Sequence, residues 1–281
     1  MIAIGPKPRR KPKGPLRFSL AGVQLKFSAL MDAHGGLTIP ASGSGGDWIV
    51  KLPSGTYPAV PENEAAMLTL AASVGITVPE HRLVALEAID GLPELGPFAG
   101  KKALAVKRFD RTPGARIHME DLAQVFGVFP DVKYEKVGLA RIADLIRLTM
   151  GEAAAQDFVA RVAFVVLTGN GDMHLKNWSL LYPDGRTPAL SPAYDLVSTV
   201  PYLPNDRMAL NLAGTKEFAE VTLERFRRLA DRAHLPERET LDTVRRIVDG
   251  ARGAWPKIRH SSELPEEIAV RIDVHMAAAK L

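Results

Sequence analysis

The stretch Leu167-Thr168-Gly169-Asn170-Gly171-Asp172-Met173-His174-Leu175-Lys176-Asn177 carries an aspartate five residues before an asparagine, with His174 and Lys176 between them. A second aspartate closes Ser191-Pro192-Ala193-Tyr194-Asp195 further along. The order acid, amide, acid suits phosphoryl transfer from a nucleotide. One carboxylate stands beside the acceptor hydroxyl, and two oxygen ligands follow that hold magnesium. An apolar run, Val162 to Thr168, leads into the motif, so the polar cluster starts where a buried element ends. Sites built on rigid scaffolds commonly sit at such junctions.

His174 admits three readings: a base in the catalytic loop, a metal ligand, or a hydrogen-bonded structural residue. No His-Glu-x-x-His or comparable zinc spacing occurs anywhere in the chain. The oxygen set Asn177 and Asp195 suits magnesium, a hard ion.

Outward from this motif, composition sets limits. The 281 residues are 46% apolar and 24% charged, ordinary for a soluble globular protein with one large domain or two smaller ones. Cysteine is absent, which excludes a disulfide framework, a thiol nucleophile and cysteine-ligated zinc, and fits a reducing compartment. No stretch approaches the length of a membrane span, and no apolar signal region follows the basic N-terminus. The expectation is a cytoplasmic protein without membrane contact. Net charge is +4, part of it in Lys7 to Lys13, within a proline-broken basic arm over 1–14 expected to be disordered. The same arm also suits contact with an acidic partner. No helix-turn-helix pattern is evident, so direct nucleic-acid readout is not expected.

The first half reads as strand-rich with one helix. Phe27, Ala29 and Met31 alternate as on one face of a strand, and Gly35-Gly36 reads as a turn. Asp47 to Leu52, Val78 to Leu86 and Lys102 to Phe109 read as strands, and Asn63 to Ser73 as a helix. The second half is mainly helical. Leu139, Ile142, Ile146 and Met150 fall at helical spacing, as do Phe158, Val162, Val165 and Val166. From Thr222 onward the pattern is amphipathic helix, expected to break at Pro236, Pro256 and Pro265. The expected architecture is α+β: a strand-rich N-lobe over 15–110 and a helical C-lobe over 111–281, with nucleotide in the cleft between them.

The N-terminal half holds three further candidates. Ser19-Leu20-Ala21-Gly22-Val23-Gln24-Leu25-Lys26 is a candidate phosphate-covering loop; its small residues let backbone N–H groups approach phosphate, and Lys26 adds charge. Lys51, inside an apolar strand, is either a solvent-facing edge lysine or the lysine that binds nucleotide phosphates and a helix carboxylate. Glu64 is the natural carboxylate, with Glu62 as competitor. Lys107 to Phe109 is either a charged inter-lobe loop or a hinge that presents backbone groups and an aromatic wall to adenine.

Together these motifs resemble the HipA-like serine/threonine kinases, toxin components of bacterial toxin–antitoxin systems. The matching segments are SLAGVQLK from Ser19, WIVKLP around Lys51, ENEAAMLTLAASVGITVP from Glu62, ALAVKRFDR from Ala103, HMEDLAQVFG from His118, NGDMHLKNWSLLY from Asn170 and LSPAYDLVSTVPY from Leu190. The resemblance implies a two-lobed protein-kinase-like fold that uses ATP and Mg2+. Asp172 would be the catalytic base, Asn177 and Asp195 the magnesium ligands, and Lys51 the phosphate lysine. Ser19, Ala21, Gly22, Val23, Gln24 and Lys26 would form the phosphate loop, and Lys107 and Phe109 the adenine hinge. Ser19 would be an autophosphorylation site associated with inactivation.

Family substrates include aminoacyl-tRNA synthetases. Expected partners are therefore such a substrate and an antitoxin, a helix-turn-helix DNA-binding protein, a separate N-subdomain protein, or both. The loop starts almost at once, so the chain looks like the short, HipT-like form without the N-terminal subdomain. A single serine in the loop is closer to the long form, and Lys107 stands where the long form commonly has glutamate. Two rival readings remain: an aminoglycoside-type small-molecule phosphotransferase, which shares Asp-x-His-x-x-Asn, and a non-catalytic antitoxin-binding regulatory protein.

Overall fold

Ala103, Leu104, Ala105 and Val106 are all buried, so this strand separates two apolar layers. Successive strand residues point to opposite faces. Ala103 and Ala105 pack with Trp48, Val50 and Leu52, while Leu104 and Val106 join the larger core on the other side. The computed structural model describes residues 24–32, 36–40, 46–92, 98, 100–112, 114–128 and 137–281. The basic arm over 1–14, the loop residues Ser19, Leu20, Ala21, Gly22 and Val23, and Gly35 of the expected turn lie outside the described residues.

The N-lobe elements are β1 (Lys26–Met31), β2 (Leu37–Thr38), β3 (Trp48–Lys51), α1 (Val60–Ser73), β4 (His81–Ala85), β5 (Ile89–Asp90) and β6 (Lys102–Lys107). The strands form one six-stranded sheet in the order β4-β6-β3-β1-β2-β5. β1 and β6 both pair antiparallel with β3, and Lys26 stands opposite Lys51. Ala29 is buried, with Phe27 and Met31 packed beside it, as the alternation predicts.

A hairpin, β7 (Arg111–Thr112) and β8 (Ala115–Arg116), leads to β9 (His118–Asp121) and the short α2 (Leu122–Val125). Asp121 and Gln124 form a reciprocal capping box, 2.8 and 2.9 Å, that starts α2. The remaining elements are α3 (Leu139–Met150), α4 (Glu152–Thr168), β10 (Ser179–Tyr182), β11 (Ala189–Leu190), α5 (Leu223–Arg232), α6 (Glu237–Ser261) and α7 (Glu266–Ala278). β9 and β11 flank β10 in a three-stranded sheet. α4 is buried almost all round, which its nearly continuous apolar sequence requires. It packs against α3, α6 and α7. The result is a strand-rich N-lobe and a helical C-lobe. Among the described residues no helix is long and apolar enough to cross a membrane.

α1 belongs to both lobes. Its Met67, Leu68 and Leu70 share one core with Leu104 and Val106 of the sheet and with Val244 and Ile247 of α6. It also begins earlier than the expected Asn63. Pro61 lies in the first turn, where its missing N–H is no loss.

One expectation needs correcting. Pro236 and Pro265 do precede helices, but Pro256 lies inside α6, which runs unbroken to Ser261. Pro256 is exposed, while Trp255 and Ile258 on either side are buried and hold the helix to the core. Packing overrides the local penalty. An interior proline still forfeits one helix hydrogen bond and crowds the preceding turn, at a cost of about 3 kcal/mol relative to alanine. Pro256→Ala should therefore raise unfolding stability by about 1–3 kcal/mol, read as a higher denaturant midpoint at unchanged m-value. A lower midpoint would mean that the ring makes a stabilising contact.

Candidate active site

α4 ends in a motif that aims the next residues at the cleft. Gly169 takes a left-handed backbone, φ 67°. The N–H of Gly169 donates to Val166 O at 3.3 Å and that of Asn170 to Val165 O at 3.0 Å, satisfying two carbonyls at the helix end. A Cβ at Gly169 would lie 2.7 Å from Val200, so both conformation and space demand glycine. The loop then folds on itself. Asp172 N–H donates to Asn170 Oδ1 at 3.1 Å. The carbonyl of Asp172 accepts from His174 N–H at 2.8 Å and from Asn177 Nδ2 at 3.0 Å. The Asp172–Asn177 spacing thus closes one turn with both side chains on the cleft.

Asp195 reaches the same cleft from the segment after β11. Buried Arg161 of α4 donates to Ser191 O at 2.6 Å. The Tyr194 hydroxyl donates to Lys176 O at 2.8 Å and accepts from Ser179 Oγ at 2.6 Å. Asp195 itself has φ 53°, a left-handed backbone that aspartate tolerates better than most residues. Asn170 Nδ2 holds its carbonyl at 3.3 Å.

Lys51 joins the lobes. Its ammonium contacts Glu64 Oε1 at 2.6 Å and also ion-pairs with Asp195 Oδ1. Burial alone would lower the Lys51 pKa, but Asp195 and Glu64 outweigh it and hold the group above its ordinary value. Burial pushes Asp195 up, yet the charge and hydrogen bond of Lys51 bring it below the usual aspartate range. Glu64 stays raised, because burial exceeds the pull of Lys51 and Asp195 adds repulsion. One lysine cannot fully serve two carboxylates, and Asp195 receives the larger share. Glu62 does not take this place. Two residues along a helix it faces elsewhere, and it is only half-buried.

The cleft is lined by Gln24, Lys26, Lys51, Asp172, Asn177 and Asp195, all expected from the sequence. Glu64, Asn170, Val60 and Val197 complete it. Gln24 is fixed by a 2.9 Å bond from its side chain to Leu52 O, so the described end of the candidate phosphate loop is tied to β3. Among the described residues, three expected ones do not line the cleft. His174 is buried beside Asp172, with Nε2 3.9 Å from Oδ1. Lys107 is exposed and pairs with Glu80 at 2.9 Å. Phe109 packs on Tyr194, ring centres 5.4 Å apart, one residue from Asp195.

Two asparagines were missed at the sequence level. Asn63 is fully buried and grips Ser198 from both sides, Nδ2 to the carbonyl at 2.9 Å and Ser198 N–H to Oδ1 at 3.0 Å. A polar residue between the apolar Val60 and Met67 on a helix was its only signal. Asn170 was quoted within the motif without a role.

The oxygen donors fit magnesium bound together with a nucleotide. Among the described residues no cluster of three or more His, Cys, Asp or Glu would hold a metal unaided. Asn177 and Asp195 nevertheless line one cleft, and magnesium is usually held by one or two carboxylates plus substrate phosphates. The Asn177 amide nitrogen is occupied by Asp172 O, and Oδ1 carries no protein hydrogen bond among the described residues.

Comparison with known proteins agrees with this geometry. A Sinorhizobium fredii protein, the candidate kinase Y4dM, is 51% identical over 270 residues, covering 95% of this chain and 66% of that protein. The serine/threonine-protein kinase toxin HipA of Shewanella oneidensis is 31% identical over 217 residues, covering 67% of this chain and 45% of that toxin. The chain thus spans less than two thirds of the length of these relatives. The solved structure of S. oneidensis HipA, in a complex with HipB and operator DNA, superposes with a TM-score of 0.73 at 25% identity, over 98% of this chain and 66% of that one. The Helicobacter pylori proinflammatory kinase CtkA, at TM-score 0.50 and 16% identity over 89% of this chain and 88% of that one, shares the fold. Residues 18–255 match the family described as the HipA-like C-terminal domain, and the chain belongs to that family.

Proposed function

We propose that this chain is an ATP-dependent protein serine/threonine kinase. The observation that carries the reading is Lys51, which bridges Glu64 of α1 and Asp195 in the cleft that also holds Asp172 and Asn177. That bridge brings a strand lysine, its helix glutamate and an aspartate of the other lobe into one cleft, the set on which kinase phosphoryl transfer draws.

In this reading Asp172 orients the acceptor hydroxyl and takes its proton. The hydroxyl oxygen forms a bond to the γ-phosphorus as the bond to the β–γ bridging oxygen breaks, and ADP leaves with that electron pair. Lys51 and Lys26 supply positive charge to the phosphates, and by family resemblance the segment from Ser19 to Lys26 is the phosphate loop. Asn177 and Asp195 hold magnesium, which neutralises phosphate charge when bound. His174, buried beside Asp172, supports it, and by family resemblance Lys107 and Phe109 belong to the adenine hinge. The acceptor is a serine of a cellular protein, an aminoacyl-tRNA synthetase by family resemblance, and Ser19 of this chain. The partner is an antitoxin, a reading supported by the HipB complex of the S. oneidensis relative. The setting is cytoplasmic.

Three tests bear on this. Asp172→Asn should retain the fold and lose phosphoryl transfer by about 10²–10⁴-fold, because the nearly isosteric amide cannot accept the proton. Turnover of ATP with phosphoprotein formation, measured beside wild type, checks it, and near-native activity would remove Asp172 from the role. Phosphate appearing on aminoglycosides but on no protein would favour the small-molecule alternative.

Asp195→Asn preserves the left-handed backbone, which asparagine tolerates, yet removes one anionic ligand. Titration calorimetry should show Mg-ATP affinity reduced about tenfold or more; unchanged affinity and activity would exclude a metal role.

Incubation with Mg-ATP should place phosphate on Ser19 and reduce activity, because a phosphate adds roughly −1.5 to −2 charge beside the ATP phosphates. Mass spectrometry that finds stoichiometric Ser19 phosphate with full activity would defeat the switch while leaving the kinase reading intact.

A further inference from the structure

Immediately before Asp172, the N–H of Gly171 donates to Thr199 Oγ1 at 2.7 Å. The hydroxyl of Thr199 has one proton and two acceptors within reach, Gly169 O at 3.0 Å and Asp206 Oδ2 at a shorter distance. Gly169 O already accepts the backbone N–H groups of Thr199 at 2.9 Å and Val200 at 3.3 Å. A carbonyl offers two lone pairs, so the hydroxyl proton goes to Asp206. Asp206 is itself held in place. Its Oδ1 accepts Arg207 N–H at 2.9 Å, and its own N–H donates to Leu203 O at 2.9 Å. A Cβ on Gly171 would run into the Asp206 carboxylate, so the two segments are as close as glycine permits.

We propose that Thr199 and Asp206 are a positioning pair that sets the backbone of the catalytic loop for phosphoryl transfer. Two successive amides are fixed in different ways: Asp172 N–H from within the loop by Asn170, and Gly171 N–H from outside by Thr199. Without the outside bond the loop can rotate about Gly171, and Asp172 moves off the acceptor hydroxyl. A displacement of about 1 Å at a reacting group costs on the order of 10²-fold in rate. Neither Thr199 nor Asp206 lines the cleft, so the pair acts on Asp172 and not on nucleotide binding. Thr199 is 1% exposed, and its hydroxyl accepts from Gly171 and donates to the Asp206 carboxylate.

The activity arm rests on the kinase reading; the exchange arm does not. The full chain would be made as wild type, Thr199→Val, Thr199→Ser and Asp206→Ala, and each measured for Mg-ATP turnover, Mg-ATP affinity by calorimetry and amide exchange at Gly171 by NMR. Thr199→Val, similar in shape but without the hydroxyl, should lose about 10²-fold in kcat at unchanged nucleotide affinity, with faster exchange at Gly171. Thr199→Ser should stay within about threefold of wild type, and Asp206→Ala should lose about tenfold, because the hydroxyl then lacks its carboxylate acceptor and holds the Gly171 N–H less firmly. The proposal is overturned if Thr199→Val keeps kcat, if serine fails to rescue, or if affinity falls in step with kcat. If Thr199→Val does not fold by circular dichroism, Asp206→Ala decides: full turnover with unchanged Gly171 exchange overturns the pair. An inactive wild type would count against the kinase reading alone, and unchanged Gly171 exchange in both variants would still defeat the pairing.

Discussion

Everything in this molecule that bears on chemistry depends on one buried ammonium. Lys51 stands on a strand whose alternate residues are core, so its side chain is forced toward α1 and the cleft. Two carboxylates meet it there, Glu64 from α1 and Asp195 from the C-lobe. Taking these groups out of water is costly, and the arrangement persists because the one ammonium lies between both carboxylates and offsets their repulsion. Removing Lys51 would leave two carboxylates facing each other without a cation, typically a loss of about 3–5 kcal/mol. The triad therefore fixes three elements relative to one another: the sheet, the helix and the segment bearing Asp195.

α1 turns that constraint into a lobe-to-lobe joint. Its adjacent residues Asn63 and Glu64 look at different targets. Glu64 fixes Lys51, while Asn63 holds both backbone groups of Ser198, three residues past Asp195. The apolar face of the same helix is continuous with the core formed by α4 and α6. A shift of α1 would break a charge pair, an amide clamp and core packing together. The cleft is thus defined by close-packed contacts that tolerate little displacement.

On the C-lobe side, rigidity comes from α4. Burial of its C-terminal two thirds holds this helix in the core, and its glycine terminus delivers the loop with Asp172. The segment following Asp195 closes over that loop through Thr199 and is anchored from behind by Arg271, which donates to Pro201 O at 2.6 Å. His275 of α7 bonds to Val166 O at 2.9 Å, so the final helix braces the same corner.

Local chemistry made much of this legible. Asp172, Asn177 and Asp195 could be read from order and spacing, because a turn of fixed length puts the first two on one side whatever surrounds them. The helices α3 and α4 followed from apolar periodicity, and the alternation of Phe27, Ala29 and Met31 was enough to orient β1. What the sequence could not decide were matters of long-range pairing. It left Glu62 and Glu64 both open, and only the rotation of α1 against the sheet selects Glu64. It read Pro256 as a break, and the core contacts of Trp255 and Ile258 keep the helix whole. It gave no role to Asn63, Thr199 or Asp206, whose partners lie far along the chain or in a separate loop. Sequence spacing governs what a residue does within its own turn. Which buried polar groups meet across elements is set by packing, because each must find its partner among atoms that only the complete fold brings within reach.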